Sequence, residues 1–175
     1  MIKIRNGTFE TNSSSVHTLV IGNEKPHIQP MDFETDEYGW EHNVISDPKG
    51  RAKYFYTALL EYHPLSERSL HYLLPDGYWR DRDVNTDTEY AIEITRCMLP
   101  TEIHDKCLFS DGLGVWDGID HTDELRDLIE DFAKHPDKFL RFIFSDDSCI
   151  YTGNDNEEEC YEIDAGDREV YEKGN

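Results

Sequence analysis

The chain has 175 residues, 38 of them Asp or Glu and 17 Lys or Arg, for a formal charge of −21. That balance excludes bare nucleic acid as a partner, because phosphate backbones are bound by neutralising them with basic side chains. A hydrophobic content of 37% suffices for one core and hardly two.

No stretch reaches the ~20 apolar residues of a membrane helix, and the first residues carry no apolar signal segment. The expected setting is a cytoplasm, where the four cysteines are reduced thiols, core fillers or metal ligands.

In chain order, Ile2–Ile4 and Phe9 flank Asn6-Gly7, a dipeptide that favours a tight hairpin turn. The β-branched run Val16–Ile21 predicts a strand. Ala52, Phe55, Tyr56, Leu59 and Leu60 fall on one 3.6-period face and predict a helix over Gly50–Tyr62, stopped by Pro64. Ser66 is placed to cap a second helix that ends at Pro75-Asp76-Gly77.

Thr86-Asp87-Thr88-Glu89 has capping-box spacing and announces a third helix, with Tyr90, Ile94, Cys97 and Met98 on one face and Pro100 beyond. The fourth starts at Thr122, with Asp123 and Glu124 at its positive end, Lys134 and His135 at its negative end, and Pro136 as its stop. Phe139–Phe144 then reads as a central strand, and Cys149–Thr152 and Tyr161–Ile163 as further strands. The expected fold is a single α+β domain over 1–175, with about four helices on a mostly antiparallel sheet.

The acid is unevenly spread. Residues 32–47 hold six acids and no base, and residues 146–175 hold eleven acids against Arg168 and Lys173. Such blocks predict acidic faces, with 153–160 as an acidic loop. A face of this kind can occupy a basic groove that normally holds nucleic acid. The partner-binding candidates are Asp32, Glu34, Asp36, Glu37, Asp146, Asp147, Asp155, Glu157, Glu158 and Glu159.

The densest motif is Phe9-Glu10-Thr11-Asn12-Ser13-Ser14-Ser15-Val16-His17. Asn12–Ser15 predicts a tight loop whose hydroxyls bond nearby backbone amides. His17 is expected on the polar side of the following strand; the competing reading makes it an acid, base or ligand beside an anion-binding loop.

Together with Ile2-Lys3-Ile4-Arg5, this motif resembles the start of a group of small phage and prophage proteins sharing Phe-Glu-Thr-Asn-Ser-Ser-Ser-x-His. The later Phe142-Ile143-Phe144-Ser145 and Thr152-Gly153-Asn154-Asp155-Asn156 also look like that group. The resemblance implies a mobile-element setting and brings no chemistry of its own. By analogy it points to acidic inhibitors of host defence, including anti-CRISPR proteins that fill the basic channels of RNA-guided nucleases.

Two rival constellations carry chemistry. Cys97, His104, Cys107 and Cys160 offer thiolates and an imidazole to a structural zinc, while Cys97 and Cys149 also suit ordinary core positions. The stretch from Asp111 to His121 has three glycines and carboxylates at Asp111, Asp117 and Asp120, which could hold magnesium or calcium. A metal-dependent hydrolase would use Asp117, Asp120, His121 or His17. An accessory phage protein whose acidity confers only solubility is the third alternative. The preferred expectation is binding rather than catalysis, by an acidic inhibitor of a host nuclease of the CRISPR RNA-guided type.

Overall fold

A computed structural model describes residues 2–3, 15–39, 41–61, 87–119, 125–154 and 162–173. The first half contributes strands β1 (Ile2–Lys3), β2 (Ser15–Ile21), β3 (Asp32–Phe33), β4 (Glu37–Tyr38) and β5 (Asn43–Ile45), then helix α1 (Pro48–Glu61). Helix α2 (Asp87–Met98) leads through a 3-10 helix (Thr101–Lys106) to β6 (Leu108–Phe109) and β7 (Gly118–Ile119). Helices α3 (Arg126–Lys134) and α4 (Pro136–Phe144) precede β8 (Cys149–Asn154), β9 (Glu162–Ile163) and β10 (Glu169–Lys173).

The main sheet is antiparallel in the order β10-β2-β8-β5, so β2 and β8 are its central strands. Side chains alternate across a strand. In β2 this sends His17, Leu19 and Ile21 to one face and Val16, Thr18 and Val20 to the other. The first face meets α4 and shares the large core with Ile150 and Tyr171. On the second face Val20, Cys149 and Ala165 form a smaller cluster with Tyr151 and Val170. Two short parallel pairs, β3 with β6 and β4 with β7, lie beside α1. Mixed α/β architecture around an antiparallel sheet is therefore as expected, with the parallel pairs as an addition.

Helix α1 starts before the expected Gly50. Pro48 fits the first helical position, where its missing N–H costs nothing, and the Asp47 carboxylate accepts the Gly50 N–H at 2.9 Å as a cap. Nine of its fourteen residues are buried, so it is a central helix rather than a surface one. Phe55 packs on Phe132 and Phe139, whose rings lie 6.0 and 4.8 Å away, joining α1 to α3 and α4.

The Phe139–Phe144 strand is corrected to helix α4. Pro136 opens this helix instead of merely closing α3, since its fixed φ suits the first helical turn. Phe139, Phe142 and Ile143 then reach the core at helical spacing, while Leu140 and Arg141 remain partly accessible. A short, nearly continuous apolar run has no visible period, and its β-rich composition was overridden by packing.

The second expected helix, the Asn6-Gly7 hairpin, the Asn12–Ser14 part of the serine loop and the Thr122 cap lie outside the described residues. Strand β1 pairs with β9, Ile2 opposite Ile163. Among the described residues no helix is long and apolar enough to cross a membrane.

Among the described residues, Arg51 is a large side chain with no exposed surface. Its guanidinium donates to the carbonyls of Ser148 at 2.6 Å, Ser145 at 2.7 Å and Ile143 at 2.9 Å, and to that of Ser46. Two of these oxygens belong to the C-terminal end of α4, where carbonyls lack helical partners and the helix dipole is negative. Arg51 thus ties α1, α4 and the turn into β8 together. Burial pulls its pKa below the usual guanidinium value, and the neighbouring Asp47 opposes that.

Candidate functional site: an acidic ledge beside a braced loop

The residues 32–38 run alongside 108–119 through a parallel ladder. Asp32 pairs with Leu108, Phe33 with Phe109, Glu37 with Gly118 and Tyr38 with Ile119. Further backbone bonds join Ser110 N–H to Phe33 O at 3.0 Å and Gly118 N–H to Asp36 O at 3.1 Å. Phe33 anchors the segment inward by stacking on Phe109, with ring centroids 5.1 Å apart. Because side chains alternate along an extended chain, Glu34 and Asp36 point away from the side on which Phe33 is buried.

Those acids are not equivalent. Glu34 is bridged by Lys53 at 3.1 Å and Lys49 at 3.4 Å. The Lys53 hydrogen bond and charge, helped by Lys49, hold its carboxyl below the ordinary carboxylate value. Asp36 is also within 3.6 Å of Lys53. Asp36 and Glu37 remain exposed, and so do Glu41 and Asp47 further on. Asp32 is half-buried on β3.

Tyr38 feels this concentration of charge: burial first, then Asp36, Asp47 and Asp117, push its phenol well above the ordinary value. Beside it lies a cavity of about 170 Å³ lined by Glu37, Tyr38, Gly39, Glu41, Asn43 and Thr152.

Loop 108–119 is braced from beneath. The Asp117 carboxylate accepts the Gly114 N–H at 2.8 Å and the Thr35 hydroxyl. Glu61, at the end of α1, accepts the Ile119 N–H at 2.7 Å. The glycines leave room for these carboxylates: a Cβ on Gly114 would lie 2.6 Å from Asp117 Oδ2, and one on Gly118 would lie 2.2 Å from Glu61 Oε1, so a side chain at either point would push the brace aside. Asp117, a candidate metal carboxylate, thus serves as a turn brace. Asp120 and His121 lie outside the described residues.

Of the second acidic block, Asp146 stands exposed in the turn before β8. Asp147 is half-buried, its carboxylate accepting the N–H groups of Asn23 at 2.9 Å and Glu24 at 3.3 Å. Asp155, Glu157, Glu158, Glu159 and Cys160 lie outside the described residues, with Gly153 and Asn154 closing β8.

His17 corrects the expectation of a polar strand face. It is fully buried, and its Nδ1 lies 2.7 Å from the Tyr54 hydroxyl of α1. Period-2 alternation puts it on the face of Leu19 and Ile21, which explains the burial. Ser15 is buried too and begins β2 opposite Asn154.

Among the described residues no three His, Cys, Asp or Glu side chains converge as a metal-holding group. His104 donates Nε2–H to Leu99 O at 2.9 Å, while Cys97 and Cys107 are packed with the large core. Cys149 sits in the smaller cluster.

Sequence reasoning did not single out Arg51, Glu61 or the apolar tip Val115–Trp116. For the tip a signal existed, since two large apolar residues between Gly114 and Gly118 cannot reach a core from so short a turn. Comparison with protein-family models, curated proteins and solved structures finds no match for this chain.

Proposed function

We propose that this protein acts by binding, as an acidic inhibitor that fills the basic nucleic-acid groove of a host nuclease, of the CRISPR RNA-guided type. The observation that carries the reading is the ledge of exposed carboxylates at Asp36, Glu37, Glu41 and Asp47, in a chain of charge −21. Lys49 and Lys53 draw mainly on Glu34 and on one side of Asp36, and Asp47 also caps α1, so Glu37 and Glu41 stand most open to a partner. Carboxylates held on and beside a hydrogen-bonded ladder can stand where phosphates would stand, and their field accelerates encounter with a basic surface. The likeness of the N-terminal motif to phage proteins supports a mobile-element setting in a host cytoplasm.

The test is affinity capture from host lysate, with salt titration and competing double-stranded DNA. Captured proteins should bind nucleic acid, elute steeply as salt rises and be released by the competitor. Reversal of Asp36, Glu37, Glu157, Glu158 and Glu159 to lysine should cost far more capture than reversal of Glu24. Capture indifferent to salt, competitor and charge reversal refutes the proposal.

A further inference from the structure

We infer that Val115 and Trp116 form a hydrophobic anchor that enters an apolar pocket rimmed by lysine and arginine on the partner protein. Val115 is 91% and Trp116 81% exposed, the highest values among the exposed large apolar residues described. They are the two central residues of a turn closed by the Asp117 N–H to Gly114 O bond of 3.2 Å. Such positions favour Pro, Asp, Asn, Gly or Ser, each for a local backbone reason. Valine and tryptophan have none, so neither the turn nor the core accounts for them.

Their scaffold is rigid where it counts. Asp117 and Glu61 brace the turn, and Gly118 N–H ties it to the acidic ledge. A tryptophan held on a fixed loop loses little freedom on docking, and buried aromatic anchors dominate many protein interfaces.

Charge decides the occupant. Asp36 and Glu37 lie on the paired ledge, and Asp111 is exposed on the loop itself. A second copy of a chain with charge −21 would bring like charges together, and an anionic bilayer would be repelled in the same way. A nucleic-acid base could stack on the indole, but its phosphates would face carboxylates. A protein pocket with a basic rim satisfies both the indole and the acids. The inference rests on the proposed binding to a basic surface, and adds a contact that salt should not weaken.

The test uses the full chain with Trp40 and Trp79 replaced by phenylalanine and residue 116 incorporated as 7-azatryptophan, excited to the red of ordinary tryptophan absorption, so that position 116 alone reports against the probe's own tryptophans. The probe is the heparin-retained protein fraction of host lysate. Emission from position 116 should be that of a wet ring in the free protein and should shift to the blue with this probe. In parallel, Trp116→Ser in the otherwise native chain should weaken capture at least tenfold at low and at high salt alike, with an unchanged melting temperature.

Salt-sensitive capture that Trp116→Ser leaves intact overturns the anchor and spares the inhibitor reading. Salt-indifferent capture abolished by Trp116→Ser overturns the basic rim and the inhibitor reading together. A blue shift already present in the free chain assigns the tip to its own fold. A shift with phosphatidylglycerol vesicles, or one that grows with protein concentration alongside dimers in sedimentation, assigns it to membrane or self-association. No shift with the heparin fraction overturns the inference outright.

Discussion

Arg51→Met is expected to destabilise the protein by about 3 kcal/mol, and Arg51→Lys by more. Arg51 donates four hydrogen bonds to carbonyls, from Nη1 to Ser46 and Ser148 and from Nη2 to Ile143 and Ser145. At about 1.5 kcal/mol for each bond to a charged group, the cage contributes roughly 6 kcal/mol. Burying the guanidinium costs several kcal/mol, taken here as about 3, which methionine recovers by filling much of the volume without a charge. The difference is the predicted loss.

Lysine recovers nothing, because it keeps a charge that is more strongly hydrated. Its single ammonium also cannot span acceptors that a planar fork reaches from two nitrogens. The order of stability should therefore be Arg, Met, Lys. Urea unfolding at constant slope measures it, and for a chain of this size the methionine variant should melt about 6–12 °C lower. A methionine variant as stable as the native protein, or a lysine variant above it, refutes the cage as a net stabiliser.

Tyr54→Phe removes the hydroxyl next to buried His17 and should cost about 1–3 kcal/mol in urea unfolding while leaving partner capture unchanged, since the pair lies in the core. Loss of all binding in a stable Tyr54→Phe or His17→Ala variant would return His17 to the list of functional residues. Gly22→Ala places a Cβ 1.9 Å from Asp147 Oδ1 and should displace the carboxylate that holds Asn23 and Glu24. A double-mutant cycle with Asp147→Ala should thus be strongly non-additive, the pair costing little more than the worse single change.

Asp131 supplies the pH dependence. Burial raises its pKa, but hydrogen bonds from Lys138 and Tyr171, with the Lys138 charge, outweigh that and hold it below the ordinary value. A carboxyl depressed in the folded state stabilises above its unfolded pKa of about 4 and loses that stabilisation as pH falls through the folded value. The stability gap between native protein and Asp131→Asn should be full at pH 7 and close on acidification; a gap constant from pH 7 to pH 2 contradicts this.

Strand β2 and helices α1 to α3 were legible because their patterns are local. β2 is β-branched and flanked by turn residues, α1 carries a regular apolar stripe, and α3 has charges matched to its dipole. Helix α4 was not, because a run with five apolar residues in six shows neither period, and only Phe132 and Phe55 across the core select the helix. The acidic block 32–47 could be seen, but not its division of labour. Lys49 and Lys53 come back to Glu34 only because α1 lies against β3, and Asp147 caps a segment more than a hundred residues away. Nothing in the sequence set Arg51 apart from the other charged residues, since no sequence pattern marks four convergent carbonyls.

The sheet order β10-β2-β8-β5 has a consequence for how the protein is made. Strand β2, near the start of the chain, finds its two neighbours in residues 149–154 and 169–173. While the ribosome is still adding the helices, both edges of β2 lack the strands that will cover them, and an uncovered apolar edge invites pairing with other chains. The sheet can close only after residue 173 has left the exit tunnel, so completion of this core waits for the last of its strands and is dominated by long-range contacts, which are slow to form. Each newly made chain carries its strongly negative charge throughout that wait, and like-charge repulsion keeps neighbouring unfinished copies apart.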